Sequence, residues 1–89
     1  MYSVVMLYVL KGKRGKRYVG ITNNLSRRLR EHRMKATKGG QLLGDFIVLC
    51  TEEFPDYKTA RERERFLKSG QGRKWLDEFE SGTRPASGG

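Results

Sequence analysis

The chain holds one cysteine, Cys50, and one histidine, His32, in 89 residues. A lone cysteine allows no internal disulfide, and one histidine beside it makes no Cys/His cluster with the spacing of a structural zinc site. A reducing, cytoplasmic setting is therefore expected. Long apolar runs are also missing. Val4 to Leu10 is too short to span a bilayer, and no basic flank or small-residue cleavage site accompanies it, so neither a transmembrane helix nor a signal peptide is expected. There is no internal repeat. Acid is scarce in the first half: residues 1–44 carry 11 basic side chains and a single carboxylate, Glu31, while the remaining 45 carry 8 basic and 9 acidic. The net charge of +9 therefore originates in the first half. A basic face backed by a near-neutral remainder suits a polyphosphate partner.

A chain of this length forms one domain with a lean core, because small proteins bury a smaller share of their surface. Residues 1–80 are expected to make that domain, and the small, polar residues 81–89 a flexible tail. Val4 to Leu10 is apolar on both parities, as in a strand covered on both faces, with Tyr8 on the side of Val4 and Met6. The basic, glycine-containing stretch Lys11 to Arg17 then joins it to a second strand through Tyr18, as an antiparallel hairpin.

After Gly20 the pattern turns helical, with Asn23 or Asn24 as N-cap and Leu25 and Leu29 at helical spacing. At about 100° per residue, Leu25, Arg28, Leu29, His32 and Ala36 share one side, while Arg27, Arg30 and Glu31 point away. An arginine on the leucine side is costly unless an anion meets it. Arg28 and His32, four apart, can act on the same ligand. A polar connection from Lys35 to Gly44 follows, then a third strand from Phe46 to Thr51, again apolar on both parities. Asp56 can cap a second helix whose Tyr57, Ala60, Glu64 and Leu67 share a face, with Glu62 opposite. Glu64, a carboxylate on an apolar stripe, needs a cation, either an arginine or a metal. Gly70 and Gly72 are expected to break this helix, and Trp75, Leu76 and Phe79 to form the stripe of a short third one. The fold class that results is α+β: a small three-stranded antiparallel sheet with flanking helices, in the order ββαβαα.

Met6-Leu7-Tyr8, then Tyr18-Val19-Gly20, then Arg28 and His32, resemble the GIY-YIG nuclease superfamily in order and spacing. Ala60 to Lys68 is similar to that family's metal-binding helix, with Glu64 at its glutamate. Lys68 to Arg73 resembles the small stand-alone members described as excinuclease C-like, of the UPF0213 type. The first motif keeps only its tyrosine, with Met6 and Leu7 in place of glycine and isoleucine. The polar residue that many family members carry beyond the metal helix has no counterpart. The resemblance implies a metal-dependent DNA endonuclease, serving DNA repair or recombination. Tyr8 would be general base or relay, Tyr18 would hold the attacking water, and Arg28 would lower the tyrosine pKa and stabilise the phosphate. His32 would orient the phosphate or assist proton transfer, and Glu64 would hold Mg²⁺ or Mn²⁺.

Each of these residues also has an ordinary reading. Strand aromatics pack across hairpins, helix arginines sit in solvent, a histidine can simply be packed, and Glu64 can pair with Lys68 four residues on. Lys11, Lys13, Arg14, Lys16, Arg17 and Arg27 are the candidate nucleic-acid contacts, suited to gripping phosphates rather than reading bases. The alternative function is a non-catalytic nucleic-acid-binding module on the same basic face, with RNA as the alternative ligand to DNA.

Overall fold

The computed structural model describes residues 4–35 and 38–82. Strands β1 (Val5–Gly12) and β2 (Arg17–Thr22) form the expected hairpin, closed by Gly15 at φ 82° and by the Gly12 amide donating to the Lys16 carbonyl at 2.8 Å. Helix α1 (Leu25–Arg33) follows, then a short helix α2 (Lys38–Leu43), strand β3 (Phe46–Phe54), and helices α3 (Tyr57–Lys68) and α4 (Gly70–Ser81). The sheet is antiparallel throughout, in the order β2-β1-β3, so β1 is central.

That central place explains a strand apolar on both parities. On one face Leu7 and Val9 pack with Val19, Leu67 and Leu76, under α3 and α4. On the other, Tyr8 and Leu10 pack with Leu43, Tyr18, Leu25, Leu29 and Phe46, beside α1 and α2. The alternation of a strand thus divides the four residues Leu7 to Leu10 between two small cores.

The expected element order holds, with four local differences. The connection after α1 contains α2, whose Gly40 lies so close to the His32 carbonyl that a Cβ would collide with that backbone oxygen. Close helix approach replaces a loop there. Strand β3 reads apolar on both parities but is an edge strand: Ile47 is 62% exposed and Val48 37%. The register shift opposite Val9 and Leu10 puts both Leu49 and Cys50 toward the α3 side, while Ile47 and Val48, at the edge, stay in water. Tyr57, placed on the buried face of α3, is 44% exposed at its first turn, whereas Ala60 and Leu67 are buried. Gly70 and Gly72 do not separate the last two helices. Ser69 ends α3 and caps α4, its hydroxyl accepting from the Gly72 amide at 3.2 Å, so both glycines lie in the first turn of a 12-residue helix.

The caps follow the sequence. Asn24 accepts from the Arg27 amide at 3.1 Å and Asp56 from the Thr59 amide at 2.8 Å, each satisfying an amide that the first turn leaves open. Gly82, at φ 80°, closes α4 in the left-handed region. The tail expected from residue 81 therefore begins inside a helix, and positions 83–89, like Ala36, lie outside the described residues. No helix among the described residues is long and apolar enough to cross a membrane.

Candidate active site

Tyr8 faces Gly20 across the β1–β2 ladder. A Cβ on residue 20 would stand 2.5 Å from the Tyr8 hydroxyl oxygen, 2.6 Å from its Cζ and 3.0 Å from Tyr18 Cε1. The Tyr8 ring therefore lies across Gly20, the aromatic filling what the glycine leaves open. Tyr18, two residues earlier on β2, shares that face, with ring centroids 6.2 Å apart.

Helix α1 supplies the rest. Its N-cap sets the phase, which turns His32 inward to a position with no solvent exposure. His32 Nε2 lies 3.0 Å from the Tyr8 hydroxyl, and its ring centroid is 5.0 Å from that of Tyr18. Phe46 meets the imidazole edge-on at 6.2 Å. One turn earlier, Arg28 is half-buried above the tyrosines and its charge acts on both phenolic oxygens. Arg27 is exposed. Glu31, expected to point away, instead receives Arg28 at 3.1 Å and Arg27 at 3.7 Å, because an i to i+3 step brings it back beside Arg28.

The electrostatics differ from expectation at one point. Burial raises the Tyr8 pKa above the ordinary tyrosine value, and although Arg28 opposes this, Tyr18 adds to the rise. The cation expected to make a tyrosinate is present but is outweighed by desolvation. Burial, reinforced by the Arg28 charge, lowers His32 despite Glu31. Arg28 itself is raised, first by Tyr8 and then by Glu31. Near neutrality the site is a protonated tyrosine against a neutral imidazole, beneath an arginine.

Glu64 lies on α3, whose Leu67 packs with Leu7 and Val9 on one face of the sheet, while Tyr8 packs on the other. The carboxylate is largely shielded, 16% exposed, and accepts from Lys68 Nζ at 3.1 Å. Glu62 is exposed. No group of three or more His, Cys, Asp or Glu side chains able to hold a metal occurs among the described residues.

The basic hairpin is partly neutralised by α4. Arg17 donates to Asp77 at 2.6 Å and through Nε to Glu80 at 2.7 Å, and Lys11 also pairs with Glu80. Burial alone would raise the Glu80 carboxyl, but Lys11 and Arg17 outweigh it and hold it low. Lys13 meets Asp45 at 3.3 Å with both side chains in water, a weak pair. Arg14 and Lys16 are exposed without a carboxylate within ion-pair distance among the described residues. The acids that clamp Arg17 lie 60 or more residues along the chain, a separation that no local pattern signals. Gly20 and Phe46 also shape the site; the glycine was visible in the Tyr18-Val19-Gly20 motif, the phenylalanine only as a strand residue.

An arginine beside two tyrosines and a buried histidine, on a three-stranded antiparallel sheet, makes up the candidate site. Residues 5–76 match the GIY-YIG catalytic domain, and the chain belongs to that family, whose members are in general nucleases. It is 34% identical over 75 residues to the UPF0213 protein ORF82 of Orgyia pseudotsugata multicapsid polyhedrosis virus, across 80% of this chain and 70% of that protein. The solution NMR structure of the UPF0213 protein BH0048 from Bacillus halodurans is similar with a TM-score of 0.54 and 27% identity, covering 84% of this chain and 83% of that one. The chain is thus a small UPF0213-type member of the GIY-YIG family.

Proposed function

We propose that the protein is a divalent-metal-dependent DNA endonuclease. The observation that carries this reading is the buried Tyr8–His32 contact of 3.0 Å beneath Arg28. With Arg28 acting on the tyrosine oxygen, the Tyr8 hydrogen is directed to Nε2 of a neutral His32, an arrangement suited to moving a proton. Tyr8 is 1% exposed, and Arg28, paired with Glu31 at 3.1 Å, would turn to a phosphate when a strand binds. The planar guanidinium then holds two phosphate oxygens and offsets the charge that builds on them during attack. Tyr18, half-buried beside it, orients the water. As the water attacks, its proton passes to the Tyr8 oxygen while the Tyr8 hydrogen passes to His32, so a free tyrosinate never accumulates despite the raised pKa. His32 thereby acts through Tyr8 and does not touch the phosphate, since it has no exposed surface.

A single shielded carboxylate fits a hard divalent ion that shares its coordination with water and substrate phosphate, and does not fit a cage made by protein alone. Glu64 would be that ligand, and the ion, Mg²⁺ or Mn²⁺, would supply Lewis-acid stabilisation of the leaving oxygen. Arg14, Lys16 and Arg27, exposed on the hairpin and on α1, would meet flanking phosphates. A cytoplasmic setting and service in DNA repair or recombination belong to the same reading, supported by the family and the basic charge.

The Glu64–Lys68 pair of 3.1 Å favours one rival, a nucleic-acid-binding module without hydrolysis, because it satisfies the carboxylate with no ion. Incubation with duplex, nicked, branched and single-stranded DNA and with structured RNA, in Mg²⁺, Mn²⁺ or EDTA, separates the two. Cutting of DNA that stops in EDTA and in Arg28→Ala supports the nuclease. Binding without cutting of any member of the panel by any ion establishes the module instead.

A further inference from the structure

The pairing of hairpin cations with α4 acids moves the free positive charge. Lys11 and Arg17, from the basic first half, neutralise Asp77 and Glu80, two of the acids of the second half. Along the open edge of β2 runs a hollow of about 420 Å³ whose walls include Arg17, Tyr18, Leu67, Lys68, Arg73 and Leu76. Among the described residues no carboxylate lines it, whereas the hollows around the hairpin tip and β3 all include Asp45. Arg17 is held by α4, and Lys68 is half-neutralised by Glu64. Arg73 is exposed, with no carboxylate within ion-pair distance among the described residues. Tyr18 belongs to this wall and to the cluster with Tyr8 and His32, so the cleft and the candidate active site share that residue.

We propose that this β2-edge cleft is a second phosphate site, in which Arg73, assisted by Lys68, grips a backbone phosphate of the nucleic-acid strand next to the one at Arg28. A carboxylate-free hollow with a planar cation at its mouth is selective for an anion, and the apolar floor of Leu67 and Leu76 raises the strength of the contact by excluding water. The strand would pass over Tyr18 from one cation to the other, along the open edge of β2. Naming the anion as nucleic-acid phosphate rests on the nuclease reading; the site itself rests on the cleft.

The test compares Arg73→Ala with Lys74→Ala, which removes the same charge from the next residue of α4, exposed but outside the cleft. Affinity for a fluorescein-labelled DNA duplex is read by anisotropy in EDTA over a series of salt concentrations, and cleavage is read separately in Mn²⁺. Arg73→Ala should weaken binding about tenfold and make the log K against log salt slope shallower by about 0.9, the loss of one phosphate contact. Lys74→Ala should stay within about twofold, as expected of a distant, screened charge. Arg73→Lys, which keeps the charge but not the fork, should recover part of the affinity, and unchanged thermal melting of all three variants excludes misfolding. Equal losses for residues 73 and 74, or an unchanged Arg73→Ala, overturn the proposal even if the protein cuts DNA. An Arg73-dependent protein that never cuts leaves the cleft standing and removes the nuclease; a protein that binds no nucleic acid removes both.

Discussion

Gly20→Ala puts a methyl group where the Tyr8 ring already sits. The added methyl would stand 2.5 Å from the Tyr8 hydroxyl and 2.6 Å from its Cζ, well inside van der Waals contact. Residue 20 has no left-handed backbone angle, so the alanine itself fits the strand and only the occupied space opposes it. The tyrosine cannot swing clear easily, because it is 1% exposed, packed against Leu10 and Leu43, and bonded to His32. Overpacking of this kind costs about 1–3 kcal/mol, and a lost buried hydrogen bond adds about 1 kcal/mol. The lower chain entropy of unfolded alanine returns about 0.4–1 kcal/mol. A net loss of roughly 2 kcal/mol lowers Tm by about 8–16 °C in a domain of this size. Turnover should fall more steeply than stability, because any ring shift breaks the 3.0 Å contact on which proton movement depends. Tyr8→Phe is the companion variant: it removes the hydroxyl without adding volume, so it should match Gly20→Ala in lost cleavage but retain most of the melting temperature. Calorimetric or dichroic melting and a single-turnover cleavage assay read the two effects. If Gly20→Ala melts with the wild type and still cuts, the Tyr8 ring does not lie across residue 20 and the site geometry is wrong.

Arg28→Ala should reduce kcat by about 10²–10³, as the loss of one electrostatic contact to the transition state does, while Arg27→Ala changes binding and leaves kcat within about twofold. Equal effects on turnover would remove the distinction between the inward and outward arginine. Glu64→Gln should stop Mn²⁺-supported cleavage with DNA affinity kept, and Glu62→Gln should do neither; rapid cutting by Glu64→Gln refutes the carboxylate's role. For His32 the sign follows from its lowered pKa: the unfolded chain takes up the proton first as pH falls, so the neutral ring's stabilisation is complete above about 6.5 and is lost as pH drops through the lowered folded value. Tm should therefore decline between about pH 7 and 5, above the main carboxylate range, and His32→Gln should flatten that decline; a pH-independent wild-type Tm in this window contradicts a buried neutral imidazole.

What the sequence made legible is what depends on short-range periodicity. Tyr8 on a doubly covered strand, the opposite phases of Arg27 and Arg28, and the caps at Asn24 and Asp56 all follow from spacing within a few residues. Phe46 to Thr51 shows the limit of that logic: two apolar parities describe composition, but whether a strand is central or at an edge depends on where the other strands lie. The charge is the deeper case. A count along the chain puts the excess in the first half, and folding transfers part of it, because Arg17 and Lys11 reach Asp77 and Glu80 across separations of 60 and 69 residues. Each such pair cancels a basic residue where the count is high and an acid where the count is even. The surface potential that a polyanion meets is therefore set by tertiary contacts: α4 is fixed to the hairpin through Asp77 and Glu80, while Arg73 on the same helix lines the cleft with Tyr18. By the same reasoning Tyr8 keeps its proton: the sequence supplied the neighbouring arginine, but only the packed fold determines how much water the hydroxyl loses, and here desolvation is the larger effect. Residue types along a chain carry no measure of that desolvation, which is why the proposed proton path runs through His32 and not through a standing tyrosinate.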